Sequence, residues 1–188
     1  MFPDRMYWGA AVVRLFVDKY SFVLTGPRNH EDWRQDALAV IAREVADPRG
    51  WLSVDWEELH EKQRPAGNTV YPFETLTPDD LSQRLHRIAP EHAAQLLVAM
   101  TDDWCEAPKI PNYAEERGEL LEQANVLLTR YEPDFQCWSN VIEKPSKASP
   151  DLFYRAPGWH NLTQYLADYG LIVVSESEVG VFWSFNPI

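Results

Sequence analysis

The sequence predicts an α+β fold: a mostly helical single domain over residues 1–188, with a small antiparallel sheet formed by strands near both termini. Three observations carry this expectation. Segments with apolar residues at helical spacing fill the middle of the chain, whereas β-branched and aromatic runs gather at 10–25 and 171–185. Hydrophobic residues make up 45% of the chain and include eight Trp, enough to build a core without disulfides or metal.

The elements follow in order. "AAVVRLFVDKYSFVLT" (10–25) reads as one long or two short strands, with a helix over its first half as the alternative, and Gly26-Pro27 ends it. Asn29 opens a helix, with Asp32 completing a capping-box variant and Trp33, Ala37, Val40, Ile41 and Val45 on one face. Asp47-Pro48 and Gly50 stop it. Asp55 is placed to cap a short helix carrying Glu57 and Glu58 in its first turn, broken at Pro65 and Gly67. "TVYPFETL" is extended, and Pro72 argues against a central strand. Thr77 caps the next helix, Pro78 takes its first position, and Asp79 and Asp80 meet the helix dipole. Pro90 starts another. Loop 101–112, blocked by Pro108 and Pro111, leads to the longest helix, capped by Asn112 and apolar at Leu120, Leu121, Ala124, Leu127 and Leu128. From 132 to 157 the chain reads as irregular, with "EKPSKASPD" an exposed loop.

The chain ends in "NLTQYLADYGLIVVSESEVGVFWSF". Asn161 is expected to cap a helix with Leu162, Tyr165, Leu166 and Tyr169 on its apolar face, and Gly170 to stop it. "LIVV" then reads as a strand buried on both faces. "SESEVG" turns the chain, and the returning strand places Val181, Trp183 and Phe185 on one side and Phe182 on the other. Helix, strand and hairpin in this order match the end of a winged-helix DNA-binding domain. Such a domain needs Lys or Arg for phosphates, and none occurs from Ala156 to Ile188, where the ionised groups are Asp168, Glu176 and Glu178.

Charge narrows the partners further. With 29 acidic against 17 basic residues the net charge is −12, which repels nucleic acids and anionic membranes and attracts basic proteins. Cys105 and Cys137 form no CxxC or paired spacing and are expected to be reduced, with one bridge left open. The apolar run from Met6 to Val13 is interrupted by Arg14 and Asp18 and does not read as a signal peptide, and nothing reaches membrane-spanning length. A cytoplasmic location is the expectation.

No G-x-S-x-G, phosphate-cradling loop or G-x-G-x-x-G is present. Glu57, His60 and Glu61 read as a solvated helix face rather than metal ligands, and Pro90 separates His86 from His92. Asp79/Asp80 and Asp102/Asp103 are weak signals for acid–base work. No catalytic residue, cofactor or metal is expected.

The acids concentrate instead. From Glu91 to Glu122, eight carboxylates stand against Lys109 and Arg117, a balance of −6 and half of the whole excess. Asp102, Asp103, Glu106, Glu115, Glu116 and Glu119, with Trp104 as an apolar anchor, form the expected partner-binding set. In size, acidity, aromatic richness and lack of motifs the chain resembles the immunity proteins that accompany bacterial toxins, many of which block nucleases with acidic surfaces. The resemblance implies a non-catalytic inhibitor of a basic toxin domain, with no nucleic-acid or membrane partner. The alternatives are a regulatory or phage-related adaptor with a winged-helix-like end, and an enzyme whose dispersed site uses His160 or His92 beside buried carboxylates.

Overall fold

A computed structural model describes residues 4–55, 64–142, 153 and 158–187. Helix α1 (Arg5–Phe16) leads into β1 (Ser21–Pro27), α2 (Trp33–Ile41) and the short β2 (Val54–Asp55). Next come α3 (Pro78–Arg84), β3 (His86–Ile88), α4 (Pro90–Ala99) and α5 (Tyr113–Leu128). Strands β4 (Phe135–Ser139), β5 (Ala167–Ser175) and β6 (Glu178–Asn186) finish the chain. All six strands form one antiparallel sheet in the order β2-β1-β6-β5-β4-β3.

This corrects the expected fold class. The structure is 37% helix and 24% strand, and β3 and β4 lie mid-chain rather than near a terminus. The sheet is the central layer, not a small accessory. Strand residues alternate between its two faces. On one, Tyr169, Leu171, Val173 and Phe182 pack under α1, α4 and α5. On the other, Ile172, Val174, Val181, Trp183 and Phe185 pack under α2, α3 and the buried Phe73. β5 and β6 are thus buried on both faces, which is why "LIVV" carries no polar alternation.

Several local readings change with it. The run at 10–25 divides: its first part belongs to α1, which buries Trp8, Ala11, Val12, Leu15 and Phe16 at helical spacing, and β1 begins only at Ser21. Asp32, rather than Asn29, caps α2 by accepting from the Arg34 amide. Asp55 closes β2; the helix it was expected to cap lies outside the described residues, as does the "EKPSKASPD" loop. Within the segment expected to be irregular, Phe135–Ser139 forms β4. Thr77 caps α3 and Pro90 opens α4 as expected, Asp80 completing a capping box with Thr77. "TPDDLSQRLHRI" reads as helix to its end, but α3 stops at Arg84 and His86–Ile88 form β3.

The helix expected at 161–169 is absent. Asp168 is fully buried, and its carboxylate accepts from the amides of Leu162 and Thr163, the Thr163 hydroxyl, Asn140 Nδ2 and Trp183 Nε1. These bonds give the backbone a better partner than helical carbonyls. Gly170 therefore stops nothing. It sits inside β5 opposite Trp183, where a Cβ would overlap the indole. The terminal hairpin itself is as expected, with Val181, Trp183 and Phe185 on one side and Phe182 on the other. Among the described residues no helix is long and apolar enough to cross a membrane.

Candidate protein-binding surface

The 101–112 segment joins the end of α4 to the start of α5 and is held by its own backbone. The Asp102 carboxylate accepts from the amides of Trp104 (2.9 Å) and Glu106 (3.1 Å), and the Cys105 amide donates to the Asp102 carbonyl at 3.0 Å. Cys105 is fully buried in a left-handed conformation (φ 54°), and the buried Ala107 starts a 3-10 turn through the exposed Lys109. Asn112, also left-handed at φ 55°, redirects the chain into α5, and its carbonyl accepts from the Glu115 and Glu116 amides. Asn112 caps by backbone position alone, since its side chain makes no capping bond. Asn186 Nδ2 donates to the Asp103 carbonyl at 3.0 Å, tying the segment to the end of β6.

The seven expected residues lie on this segment and on the first two turns of α5 that it leads into, and they differ in what they can offer. Asp103 is exposed, and Trp104 is 37% exposed. Glu115 is exposed on the first turn of α5. Asp103 and Glu115 have no ion-pair partner among the described residues. Asp102 is occupied in shaping the loop. Glu106 faces Lys109 at 3.4 Å. Glu116 and Glu119 are clasped by Arg14 of α1, through Nη2 at 2.6 Å and Nε at 3.0 Å. The bonds to Glu119 and Glu116 raise the Arg14 pKa, which holds the guanidinium in its charged form. Beside it, a cavity of about 250 Å³ opens between α1, the loop and α5, with Leu15, Ile110 and Leu120 in its walls and Asp18 at its rim. Sequence spacing gave no signal for Arg14, because the pairing joins helices about a hundred residues apart.

Of the acids noted in the terminal segment, Glu176 is exposed in the turn, whereas Asp168 and Glu178 are buried. Glu178 is 3% exposed and belongs to β6, not to an exposed turn. It meets Arg130 at 2.7 Å, and Arg130 also holds Asp47 at 2.7 Å. Trp8 and Trp51 lie against the same guanidinium at 5.1 and 4.3 Å. Burial alone would lower the Arg130 pKa; the bonds to Asp47 and Glu178 more than reverse this.

Chemistry is little provided for elsewhere. Both cysteines are free and buried. Burial, with Asp102 and Glu106 nearby, pushes the Cys105 thiol up, and burial pushes Cys137 up to about 12, so neither is a ready thiolate. Glu57, His60 and Glu61 lie outside the described residues. Among those described, no three His, Cys, Asp or Glu side chains gather as metal ligands. His160 is exposed beside Asn140, not set in a deep pocket with carboxylates. No protein-family model matches the chain, and comparison with curated proteins and with solved structures finds no match to either.

Proposed function

We propose that this chain is a non-catalytic protein-binding inhibitor of the immunity type, which covers a basic toxin domain with the 101–112 corner. One observation carries the reading: Trp104 stands partly exposed between acids on a loop that its own hydrogen bonds hold in shape. A half-exposed indole on a rigid loop offers apolar contact area at little entropic cost. Exposed Asp103 and Glu115 add attraction for Lys and Arg, and the net charge of −12 steers a cationic partner toward the molecule. A toxin acting on nucleic acid fits this chemistry, since its substrate site must itself be basic. A cytoplasmic location belongs to the same reading.

The test is the association rate with the basic product of the neighbouring gene, measured for Asp103→Lys and Glu115→Lys. Each reversal should slow association about tenfold at low salt and flatten its salt dependence. Asp102 is left intact, because its carboxylate holds the Trp104 and Glu106 amides and reversing it would confuse shape with charge. A rate that neither reversal changes would remove the corner from the interface.

A further inference from the structure

His86, which Pro90 separates from His92 in the sequence, meets His160. β3 pairs His86 with Ser139 at the end of β4, and the next residue, Asn140, accepts from the His160 amide at 3.0 Å. Two imidazoles from distant parts of the chain thereby come together, ring centroids 5.3 Å apart and planes inclined at 45°. His86 Nε2 is buried and has no hydrogen-bond partner. Buried polar atoms in folded proteins are nearly always satisfied, and an orphan of this kind calls for a water or an ion.

The spacing suits an ion. Zinc–imidazole bonds are about 2.0–2.1 Å, and the ring centre lies about 1.2 Å behind the nitrogen, so each centroid would stand about 3.2 Å from the metal. Two such arms at a tetrahedral angle put the centroids about 5.2 Å apart. The backbone of His160 is held on both sides of its ring, because Asn140 also donates from Nδ2 to the His160 carbonyl (3.0 Å) while accepting from the Gly170 amide through Oδ1 (2.8 Å). His160 is exposed, which leaves a route for the ion and room for water ligands. Arg84, whose guanidinium reaches the Asn161 carbonyl, is already paired with Glu74 at 2.8 Å and does not bring an uncompensated cation to this edge.

We propose that His86 and His160 form a two-imidazole chelate for a divalent transition-metal ion of the zinc type, with water completing its coordination. Imidazole selects zinc, copper and nickel over magnesium or calcium. The site is independent of the inhibitor reading and lies outside the corner that carries it.

Zinc chloride alone, titrated calorimetrically into the full untagged chain, should bind one equivalent. His160→Gln should weaken that binding at least about tenfold, and His160 is exposed enough for the variant to keep its fold. His86→Gln should do the same, and His30→Gln should bind like the parent. Copper(II) should broaden the imidazole resonances of His86 and His160 before those of His30 and His92. Zinc binding that survives in His160→Gln, or that is lost equally in His30→Gln, would overturn the site. So would the absence of zinc binding at millimolar concentration.

Discussion

The Arg130 cluster and the 101–112 corner are both built on carboxylates, yet they treat charge in opposite ways. In the cluster, Asp47 and Glu178 are nearly buried and converge on one guanidinium roofed by two indoles. At the corner, Asp103 and Glu115 face solvent, and the carboxylate that shapes the loop, Asp102, binds backbone amides. The first region holds the 47–51 segment and the end of α5 against β6. The second presents charge outward on a stiff support. A net charge of −12 cannot tell these roles apart, and substitution can.

The largest effect is expected at Arg130. Arg130→Met fills much of the same volume but leaves Asp47 buried without its cation and Glu178 with only the longer contact to Arg49 at 3.4 Å. Loss of one partner from a buried pair costs about 3–5 kcal/mol, and urea denaturation should show it as a lower midpoint. A loss below about 1 kcal/mol would mean that water reaches both carboxylates, and the contrast between the regions would fail.

Asp168 comes next and extends the comparison to a buried acid with no cationic partner among the described residues. Asp168→Asn puts an amide NH₂ among donors, leaving at least one of the Leu162 and Thr163 amides unmatched, at about 1–3 kcal/mol. Burial raises the Asp168 pKa in the fold, against the opposing bonds from Thr163, Leu162 and Trp183. The folded protein therefore binds this proton more tightly than the unfolded chain does. That linkage is fully present below the unfolded value of about 4 and is lost as pH rises through the folded one. The stability gap between the parent and Asp168→Asn should accordingly narrow from pH 4 upward, which denaturation midpoints across that range would measure.

Between the extremes stands Arg43, half-buried at the end of α2. It occupies a left-handed conformation (φ 57°) where glycine is the easy residue, with its amide bonded to the Val40 carbonyl and that of Glu44 to Ala39. Its side chain pairs with Asp55 at 2.6 Å and lies over the Phe22 ring at 5.0 Å. Arg43→Ala keeps the backbone strain and loses both contacts; Arg43→Gly loses the contacts and the strain together. Glycine should therefore be the more stable variant by about 1 kcal/mol. Equal midpoints would show that the helix stop carries no strain.

The same contrast explains which parts of the fold were legible in the sequence. Capping residues act locally, so Thr77, Pro78 and Pro90 announced α3 and α4. The terminal hairpin was legible because two-sided burial leaves an uninterrupted apolar run. α1 was hidden by its own composition, since Val12 and Phe16 suit a strand as well as a buried helix face. β4 is short and stands between Pro133 and a polar stretch, so nothing local marks it. The spacing of Leu162, Tyr165, Leu166 and Tyr169 mimics a helix, but Asp168 decides the backbone there through contacts that no periodicity encodes. At the corner, the seven residues were found from charge density. Their division into free, looped and clasped groups depended on Arg14 and on backbone amides, neither of which has a linear signature.

The smallest stability effect is expected where the binding effect is largest. Asp103 and Glu115 are exposed and have no ion-pair partner among the described residues, so converting either to Lys removes no internal contact. Such surface changes usually stay within about 0.5 kcal/mol. Asp102→Lys should behave differently, because its carboxylate holds the Trp104 and Glu106 amides and a lysine cannot accept from them. Its loss should resemble removal of a helix cap, about 1 kcal/mol. Denaturation midpoints for the three variants therefore separate acids that shape the corner from acids it presents. If Asp103→Lys destabilised as much as Asp102→Lys, the corner would be another closed cluster like that around Arg130, and its exposed charge would no longer argue for a partner.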